Sequence, residues 1–151
     1  MSNFGVEVRP LALADRDAWE PLWQAYLDFD EQVLPMEATD LTWARFADPA
    51  EPMGALGAWA DDTLVGICHY VLHASTWSAG CCCYLEDLFT SPGARGRGVG
   101  SALIEAAATA ASRAGAEKLY WQTHTDKVTA RALYDRVACH EGFVVYERAL
   151  N

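Results

Sequence analysis

Apolar positions along this chain follow two periods, one typical of strands and one typical of helices. Residues 6–11 alternate between apolar and polar side chains, as a half-buried strand does. Large apolar residues then recur every three or four positions between 19 and 27, which predicts an amphipathic helix with Asp17 and Glu20 as its capping box. Pro21 is expected in the first turn of this helix. The chain therefore begins as a strand followed by a helix.

The same two periods predict the remaining elements. They are a short helix over residues 41–47, a hairpin of strands over 54–60 and 63–72, a central strand over 84–90, a long helix that ends near 112–115, a strand over 119–123, a helix over 130–137 and a last strand over 143–146. Strands that first meander and then alternate with helices predict a mixed α/β or α+β sheet. With 151 residues, 52% of them hydrophobic, we expect one domain over residues 1–151.

A glycine-rich loop lies between the central strand and the long helix. Gly96, Gly98 and Gly100 lead directly into the apolar stripe of that helix. A helix start exposes unpaired backbone N–H groups and the positive end of the helix dipole, and glycine lets an anion approach the backbone closely. The spacing is neither that of a P-loop nor that of the dinucleotide fingerprint. The loop is therefore predicted to hold phosphate by another arrangement.

Charge is distributed unevenly along the chain. Residues 15–62 contain twelve acidic and two basic residues, a difference equal to the whole net charge of −10, whereas residues 95–136 are locally basic. A basic half suits a polyphosphate cofactor, and an acidic half suits a cationic acceptor. The alternative is that the acidic residues only form a solvated surface. Nucleic acid is not expected as a partner.

Cysteine and histidine spacing indicates neither a disulfide framework nor a metal site. The five cysteines, three of them adjacent at 81–83, form no Cys-x-x-Cys pair and are expected as small core residues. The four histidines lack metal-ligand spacing, so no metal is predicted. No apolar run approaches the roughly 18 residues that span a bilayer, and no basic leader precedes an apolar stretch. We therefore expect a cytoplasmic protein without a membrane partner.

Three groups of residues together resemble the motifs of the GNAT superfamily of acetyl-coenzyme A dependent N-acetyltransferases. They are the sequence Tyr84-Leu85-Glu86-Asp87-Leu88-Phe89, the loop with Arg95, Gly98 and Gly100, and the group Ala130, Leu133 and Tyr134 followed by Gly142-Phe143. With Trp77 and Glu31, the central strand is most similar to the diamine (spermidine/spermine) and thialysine acetyltransferases. It also resembles the yeast-type histone and amino-acid acetyltransferases.

Two features depart from the family pattern. Lys127 stands seven residues before Tyr134, where the family usually has asparagine, and the segment from Tyr134 to Gly142 is longer than usual. The first departure concerns a contact with the cofactor. The second concerns the shape of the chain near the acceptor.

The resemblance implies the GNAT fold, with a central mixed, mostly antiparallel sheet flanked by helices, and acetyl-coenzyme A as co-substrate. It also implies a homodimer. The residues that the resemblance and the loop place at the cofactor are Leu88, Phe89, Thr90, Arg95, Gly96, Arg97, Gly98, Val99, Gly100, Ser101, Lys127, Ala130 and Arg131. The residues expected at the acceptor are Glu31, Trp77, Tyr84 and Glu86.

Amine acetylation requires a base, because an alkyl amine with a pKa near ~10.4 is almost wholly protonated at neutral pH. Glu86 is the candidate, acting directly or through water; the alternative is a carboxylate that only orients a cationic substrate. Alternation along the strand places Asp87 on the opposite face, with a structural role. No acyl-enzyme is required.

The departing thiolate requires an acid, and Tyr134 matches the general acid of the family. The alternative is an aromatic residue that only packs. The developing oxyanion is expected at a strand N–H near Leu88, as the family implies.

The predicted function is direct transfer of acetyl from acetyl-coenzyme A to a primary amine of a small cationic substrate, polyamine or lysine-like, in a ternary complex. One alternative keeps the reaction but changes the acceptor to a protein or peptide amine, an aminoglycoside or a D-amino acid. The other is a non-catalytic sensor of acetyl-coenzyme A, which Lys127 and the long segment after Tyr134 leave open.

Overall fold

The computed structural model describes residues 5–150, in which five strands form one sheet and four helices flank it. The strands are β1 (Glu7–Pro10), β2 (Met53–Ala60), β3 (Thr63–Ala74), β4 (Cys81–Thr90) and β5 (Ala116–Tyr120). The helices are α1 (Arg16–Phe29), α2 (Met36–Ala47), α3 (Val99–Arg113) and α4 (Val128–Val137).

The strands lie in sequence order across the sheet. β1 to β4 are antiparallel neighbours, whereas β5 pairs with β4 in parallel after the crossover through α3. The hairpin between β2 and β3 turns at Asp61, which has a φ of 53°. The predicted mixed, mostly antiparallel sheet flanked by helices is confirmed.

Two apolar clusters cover the two faces of the sheet. On one face, called here the α3 face, Val99, Leu103 and Ile104 of α3 pack on Val65, Cys68 and Leu85 of the strands. On the other, called the α1 face, Trp19 and Trp23 of α1 and Trp43 of α2 pack on Leu64, Ile67 and Phe89. Leu64 and Val65 point to opposite clusters, and so do Ile67 and Cys68, as successive strand side chains do. The alternation shifts between these two pairs, where Val65 has no partner in the register with β2.

Truncation of Leu103 tests the core on the α3 face. Its side chain is 0% exposed, so Leu103→Ala is expected to lower the free energy of unfolding by about 3 kcal/mol, because it removes apolar contacts and leaves a cavity. Leu13→Ala is the matched control, since Leu13 is 67% exposed and should change stability by less than about 0.5 kcal/mol. Urea unfolding measures both, and equal costs would contradict this description of the core.

A β-bulge interrupts the pairing of β3 with β4. His69 pairs with Asp87, but the next pair is Tyr70 with Leu85, so Glu86 has no partner in the register. The extra residue reverses the alternation of β4. Leu85 and Leu88 both belong to the α3 face, three positions apart, and Asp87 turns to the α1 face. The expected placement of Asp87 opposite Leu88 agrees with the structure, whereas strict alternation would have put Leu85 on the face of Asp87.

Several predicted boundaries differ from those of the structure. α1 begins at Arg16, so Pro21 lies inside the helix and not in its first turn. α2 begins at Met36, five residues before the prediction, β4 begins at Cys81, and β5 ends at Tyr120. α1 is preceded by a 3-10 turn, in which the Asp15 carboxylate accepts the Ala12 N–H (2.7 Å). This earlier turn explains why the helix begins before the predicted capping box.

The predicted last strand is absent from the structure. Residues 138–150 contain neither helix nor strand, and Phe143 and Tyr146 are 90% and 92% exposed. Alternating β-branched and aromatic residues favour an extended chain, but a strand also needs an edge with which to pair. The sequence pattern supplied only the first condition.

Cysteine burial agrees with the prediction for three of the five residues. Cys68, Cys82 and Cys83 are buried, Cys81 is half-buried and Cys139 is exposed. Within residues 5–150, no cluster of three or more metal-ligating side chains occurs. None of the helices in that range is both long and apolar enough to cross a membrane.

Candidate functional site

A cleft opens where β4 and β5 separate. The pairs between these parallel strands end at Tyr84 with Tyr120, whereas β4 continues for six more residues to Thr90. Residues 85–90 remain paired with β3 on their other side, apart from the bulged Glu86. Their backbone groups therefore present hydrogen-bonding positions to the cleft, as a strand edge does. This separation, which the sequence does not reveal, leaves an unpaired edge of β4 that leads to the glycine loop.

The glycine loop closes one end of the cleft. Gly96 and Gly98 have φ angles of 77° and 84°, in the left-handed region that favours glycine. Gly98 is the N-cap of α3, so the N–H groups of its first turn have no partners within the helix. A Cβ at Gly96 or Gly98 would meet no atom within 4 Å, so the space beside the loop is open. The structure therefore keeps the predicted anion site accessible.

Helix α4 forms the wall opposite β4. A Cβ on Gly100 would lie 3.2 Å from Cδ2 of Leu133, so α4 packs closely against the first turn of α3. Tyr134 is half-buried, and its ring packs edge-on against Trp121 with centroids 5.4 Å apart. Burial raises the pKa of the Tyr134 phenol above its ordinary value. The phenol is therefore protonated at neutral pH, as a general acid must be.

Glu86 is the bulged residue of β4, the strand that borders the cleft. It is exposed to solvent, yet its pKa is raised above the ordinary carboxyl value. The main cause is the protein around it, which removes part of its hydration; the negative charge of Asp87 adds to the increase, and His69 opposes it. A base with a raised pKa holds a proton more strongly once it has taken one.

Beside Glu86 lies a buried polar network that sequence reasoning missed. The indole N–H of Trp19 donates to Nε2 of His69 (3.0 Å), and Nδ1 of His69 lies 2.9 Å from Oδ2 of Asp87. The hydroxyl of Tyr26 is within hydrogen-bonding reach of the carboxylates of Asp87 and Asp30, which together with burial raise its pKa. His69 is 3% exposed, so its imidazole lies in the core of the α1 face.

The sequence contains no signal for this network. His69 and Asp87 are 18 positions apart, and only the register of β3 with β4 brings them together. Counted from Leu85, strand alternation without a bulge would place Asp87 on the α3 face. The register and the bulge depend on packing across the whole hairpin, which no local pattern records.

Phe29, at the end of α1, contacts two of the predicted cofactor residues. Cζ of Arg95 lies 5.4 Å from the centroid of the Phe29 ring and also 5.4 Å from that of Phe89. Nζ of Lys127 lies 4.5 Å from the Phe29 centroid. The guanidinium of Arg95 also donates to the carbonyl of Thr90 (3.0 Å). Phe29 thus joins α1 to the glycine loop and to the start of α4 through two cation–π contacts.

The other predicted cofactor residues surround the same cleft. Leu88 lies on the α3 face, Val99 is buried in the first turn of α3, and Ser101 follows in the same turn. Phe89 packs on the α1 face, so only its backbone faces the β4 edge. Arg97 is exposed in the glycine loop, and Ala130 is half-buried on α4. Arg131 of α4 donates to the carbonyl of Thr125 (2.8 Å) and has a nitrogen 3.3 Å from Nε2 of His140.

The predicted acceptor residues are more scattered. Tyr84 is half-buried beside Tyr120, with ring centroids 5.1 Å apart, directly below the point where the strands separate. Glu31 follows α1 with a φ of 56°. Trp77 is 93% exposed in the loop before β4 and lines a groove with His73 and Tyr120, at the end of β4 away from the glycine loop. The expected contact of Trp77 with the acceptor therefore stays a prediction.

The cysteines near the cleft are poor nucleophiles. Burial raises the pKa of Cys83 to about 11, with a smaller contribution from Cys81, and raises that of Cys68 to about 12. Thiolate is the reactive form, so both groups are inert at neutral pH. This agrees with a reaction that needs no acyl-cysteine.

These residues fit acetyl-coenzyme A. The glycine loop and the free N–H groups at the start of α3 suit its pyrophosphate, and the unpaired edge of β4 suits the amides of its pantetheine arm. When bound, acetyl-coenzyme A supplies the acetyl thioester. Glu86 on β4 and Tyr134 on α4 lie on two elements that border the same cleft.

Comparison with known proteins identifies the family. The sequence model of the acetyltransferase (GNAT) family matches residues 17–138. D-amino-acid N-acetyltransferase HPA3 of Saccharomyces cerevisiae is 35% identical over 152 residues, covering 98% of this chain and 93% of that protein. The uncharacterized N-acetyltransferase YhfO of Bacillus subtilis is 29% identical over 143 residues, covering 93% of this chain and 95% of that protein.

Solved structures agree on the fold. Aminoglycoside acetyltransferase meta-AAC0020, from an uncultured soil metagenomic sample, superposes with a TM-score of 0.83 at 18% identity over 99% of this chain and 98% of its own. AAC(6')-Iy in complex with a bisubstrate analog has the same TM-score and identity over 97% of this chain and 99% of its own. The chain belongs to the GNAT acetyltransferase family and is an acetyl-coenzyme A dependent N-acetyltransferase.

Proposed function

We propose that this enzyme transfers acetyl directly from acetyl-coenzyme A to the amine of a small amino acid, with Glu86 as the base and Tyr134 as the acid. The observation that carries the proposal is the position of the two residues on elements that border one cleft, with both pKa values shifted in the useful direction. A raised pKa lets Glu86 take a proton more readily, and a raised pKa keeps Tyr134 protonated until a thiolate forms.

The cofactor is proposed to lie along residues 88–90 with its pyrophosphate against residues 95–101. The φ angles of Gly96 and Gly98 and the open space beside them support this placement. Arg95 and Arg97 supply positive charge, and Lys127 stands in place of the usual asparagine. Ala130 and Arg131 of α4 complete the proposed contacts.

The proposed reaction has one chemical stage. The ammonium proton of the acceptor passes to Glu86, directly or through water, and the free amine forms a bond to the acetyl carbon. A backbone N–H near Leu88 stabilises the developing oxyanion. The carbon–sulfur bond breaks and the departing thiolate takes its proton from Tyr134. The nitrogen gives up its second proton as the amide forms, and this proton restores the Tyr134 phenol. Charge and protons then balance, with one proton of the ammonium group on Glu86 and one, passed through Tyr134, on the released thiol.

The yeast relative supports a D-amino acid as the acceptor. It aligns over nearly the full length of both chains, and its name states that it acetylates D-amino acids. A D-amino acid presents an ammonium group that Glu86 and Tyr84 are proposed to receive.

A polyamine or lysine-like acceptor is the second candidate. The end of α1 favours it, because Asp28, Asp30 and Glu31 are exposed there and no basic residue lies in the last turn. A site lined by several carboxylates attracts a substrate with more than one positive charge. We propose Glu31 as a contact for the distal cation of such a substrate.

An acceptor panel distinguishes the candidates. Thiol release from acetyl-coenzyme A is measured with D-amino acids, the matching L-amino acids, spermidine, lysine, thialysine, an aminoglycoside and a basic peptide. The proposal predicts the highest kcat/KM with D-amino acids and much lower values with their L-enantiomers. If kcat/KM is highest with spermidine or lysine, and falls for that substrate in Glu31→Gln, the second candidate is the correct one. Absence of thiol release with every amine of the panel would overturn the proposed function.

Phe29 provides a separate test of the cofactor site. Phe29→Leu keeps an apolar side chain but removes the ring that orients Arg95 and Lys127, so acetyl-coenzyme A affinity is expected to fall about 5-fold. Phe29→Tyr retains the ring and should bind normally. Isothermal titration calorimetry measures both dissociation constants. Equal affinities for the two variants would show that the ring contacts do not prepare the cofactor site.

The predicted homodimer remains a proposal that rests on the family resemblance. Sedimentation velocity at micromolar concentration tests it. A single species of twice the 16.5 kDa chain mass is expected, and a monomer at that concentration would exclude the dimer.

A further inference from the structure

Burying the polar network of Trp19, His69 and Asp87 beside Glu86 costs free energy, so its presence requires a physical reason. His69 is 3% exposed and the Asp87 side chain is 15% exposed, within a cluster dominated by tryptophan and phenylalanine. Removing a carboxylate and an imidazole from water costs free energy unless their hydrogen bonds are replaced. An apolar pair at these positions would pack against Trp19 without that cost. Core stability alone therefore does not account for His69 and Asp87.

The hydrogen bonds of His69 fix its tautomer. An indole N–H can only donate, so Nε2 of His69 must accept from Trp19. The proton of the neutral ring is then on Nδ1, which donates to Oδ2 of Asp87. The ring thus has a partner at each nitrogen, and the carboxylate of Asp87 is held in one orientation.

The same pair marks the edge of the bulge. His69 with Asp87 is the last regular pair before the register shifts, and Tyr70 with Leu85 is the next. Glu86 lies between these two pairs and has no partner on β3. Asp87 would leave the α1 face if the strand lost its bulge, because its alternation would reverse. The hydrogen bond from His69 to Asp87 therefore favours the register that projects Glu86.

We infer that His69 and Asp87 are positioning residues for Glu86, because their hydrogen bond holds the bulge that presents it. The inference rests on the proposed role of Glu86 as the base. His69 and Asp87 need not touch the substrate. Trp19 and Tyr26 complete the network by holding His69 and Asp87 in turn.

The charged and titratable groups around Glu86 come from three elements. β3 contributes His69, which lowers the pKa of Glu86, and β4 contributes Asp87, which raises it. β4 also contributes Tyr84, whose own pKa is raised by burial and by the charge of Glu86. α1 contributes Tyr26, whose pKa is raised by burial and by the charges of Asp87 and of Asp30, the residue directly after α1. Since Asp87 raises the pKa of Glu86, loss of its charge must lower that pKa.

Three substitutions separate charge from geometry. Asp87→Asn removes the charge but leaves an oxygen that accepts from Nδ1 of His69. His69→Asn retains a donor near the position of Nδ1 and loses the acceptor for Trp19. In His69→Gln the side-chain carbonyl oxygen takes the place of Nε2 and still accepts from Trp19. Asp87, however, loses its hydrogen-bond donor. Each histidine variant loses one hydrogen bond, so their thermal stabilities should be similar.

The test combines a direct titration with kinetics. The side-chain carboxyl carbon of Glu86 is followed by NMR over pH, with Glu86→Gln used for assignment, in the protein without acetyl-coenzyme A. The midpoint should fall by about 0.5–1 pH unit in Asp87→Asn. In His69→Gln, which loses the hydrogen bond that holds the bulge, the midpoint should move further from the wild-type value than in His69→Asn, which keeps that bond. In the pH dependence of kcat/KM, the acidic limb should move in the same direction in each variant.

The outcomes distinguish the inference from the proposed function. If the Glu86 midpoint is the same in the wild type, Asp87→Asn and His69→Gln, the inference is overturned, whatever the activity. If the midpoint shifts as expected but no amine is acetylated, the proposed function fails and the positioning of Glu86 stands. Equal midpoint shifts in His69→Gln and His69→Asn would overturn the role of the hydrogen bond to Asp87.

Discussion

Tyr134→Phe should lower kcat by about 100-fold, because it removes the proton donor for the thiolate and leaves the rest of the cleft unchanged. The phenol is half-buried against Trp121, and burial keeps it protonated by raising its pKa. Phenylalanine preserves that packing, so the dissociation constant for acetyl-coenzyme A should stay within about 2-fold of the wild type. Steady-state kinetics and calorimetry measure the two effects.

A second tyrosine provides the matched control. Tyr146 is 92% exposed and has no proposed role, so Tyr146→Phe should have the kcat of the wild type. If Tyr134→Phe changes kcat only slightly, another group or water protonates the thiolate. Tyr134 would then be a packing residue of α4.

Glu86→Gln should lower kcat/KM by about 100-fold at neutral pH, because the variant cannot accept the proton of the amine. The sign of the pH dependence follows from the raised pKa. Glu86 acts in its ionised form, so wild-type activity should decrease as pH falls through a value above the ordinary carboxyl range. In Glu86→Gln this acidic limb should disappear from the residual activity.

The control for Glu86 is a carboxylate outside the cleft. Glu105 is exposed on α3, and Glu105→Gln should retain both the rate and the acidic limb of the wild type. If Glu86→Gln raises KM but keeps kcat and the acidic limb, Glu86 orients the acceptor and another group removes the proton. That result would select the alternative role considered for this residue.

The fold was predictable from local patterns wherever an element buries a regular stripe. The apolar residues of α3 recur at helical spacing, and Asp61 and Asp62 separate two strands that pair as expected. The same reasoning placed the glycine loop between a strand and a helix start. Each of these features depends on residues close together in the sequence.

Features that depend on pairing between distant segments were not predictable. The bulge at Glu86 and the contact of His69 with Asp87 arise from the register of β3 with β4. The cleft arises because β5 ends at Tyr120 while β4 continues. The segment around Phe143 has the composition of a strand but no partner in the structure, so composition alone gave the wrong element.

The central claim is direct transfer of acetyl from acetyl-coenzyme A to an acceptor amine, and transfer of an isotopically labelled acetyl group tests it most directly. The protein is incubated with labelled acetyl-coenzyme A and a D-amino acid, and mass spectrometry follows the label on acceptor and protein while thiol release is counted. We predict one labelled amide per thiol released and no labelled protein when the acceptor is omitted. Label bound to a cysteine of the protein, or thiol release without labelled amide, would contradict direct transfer.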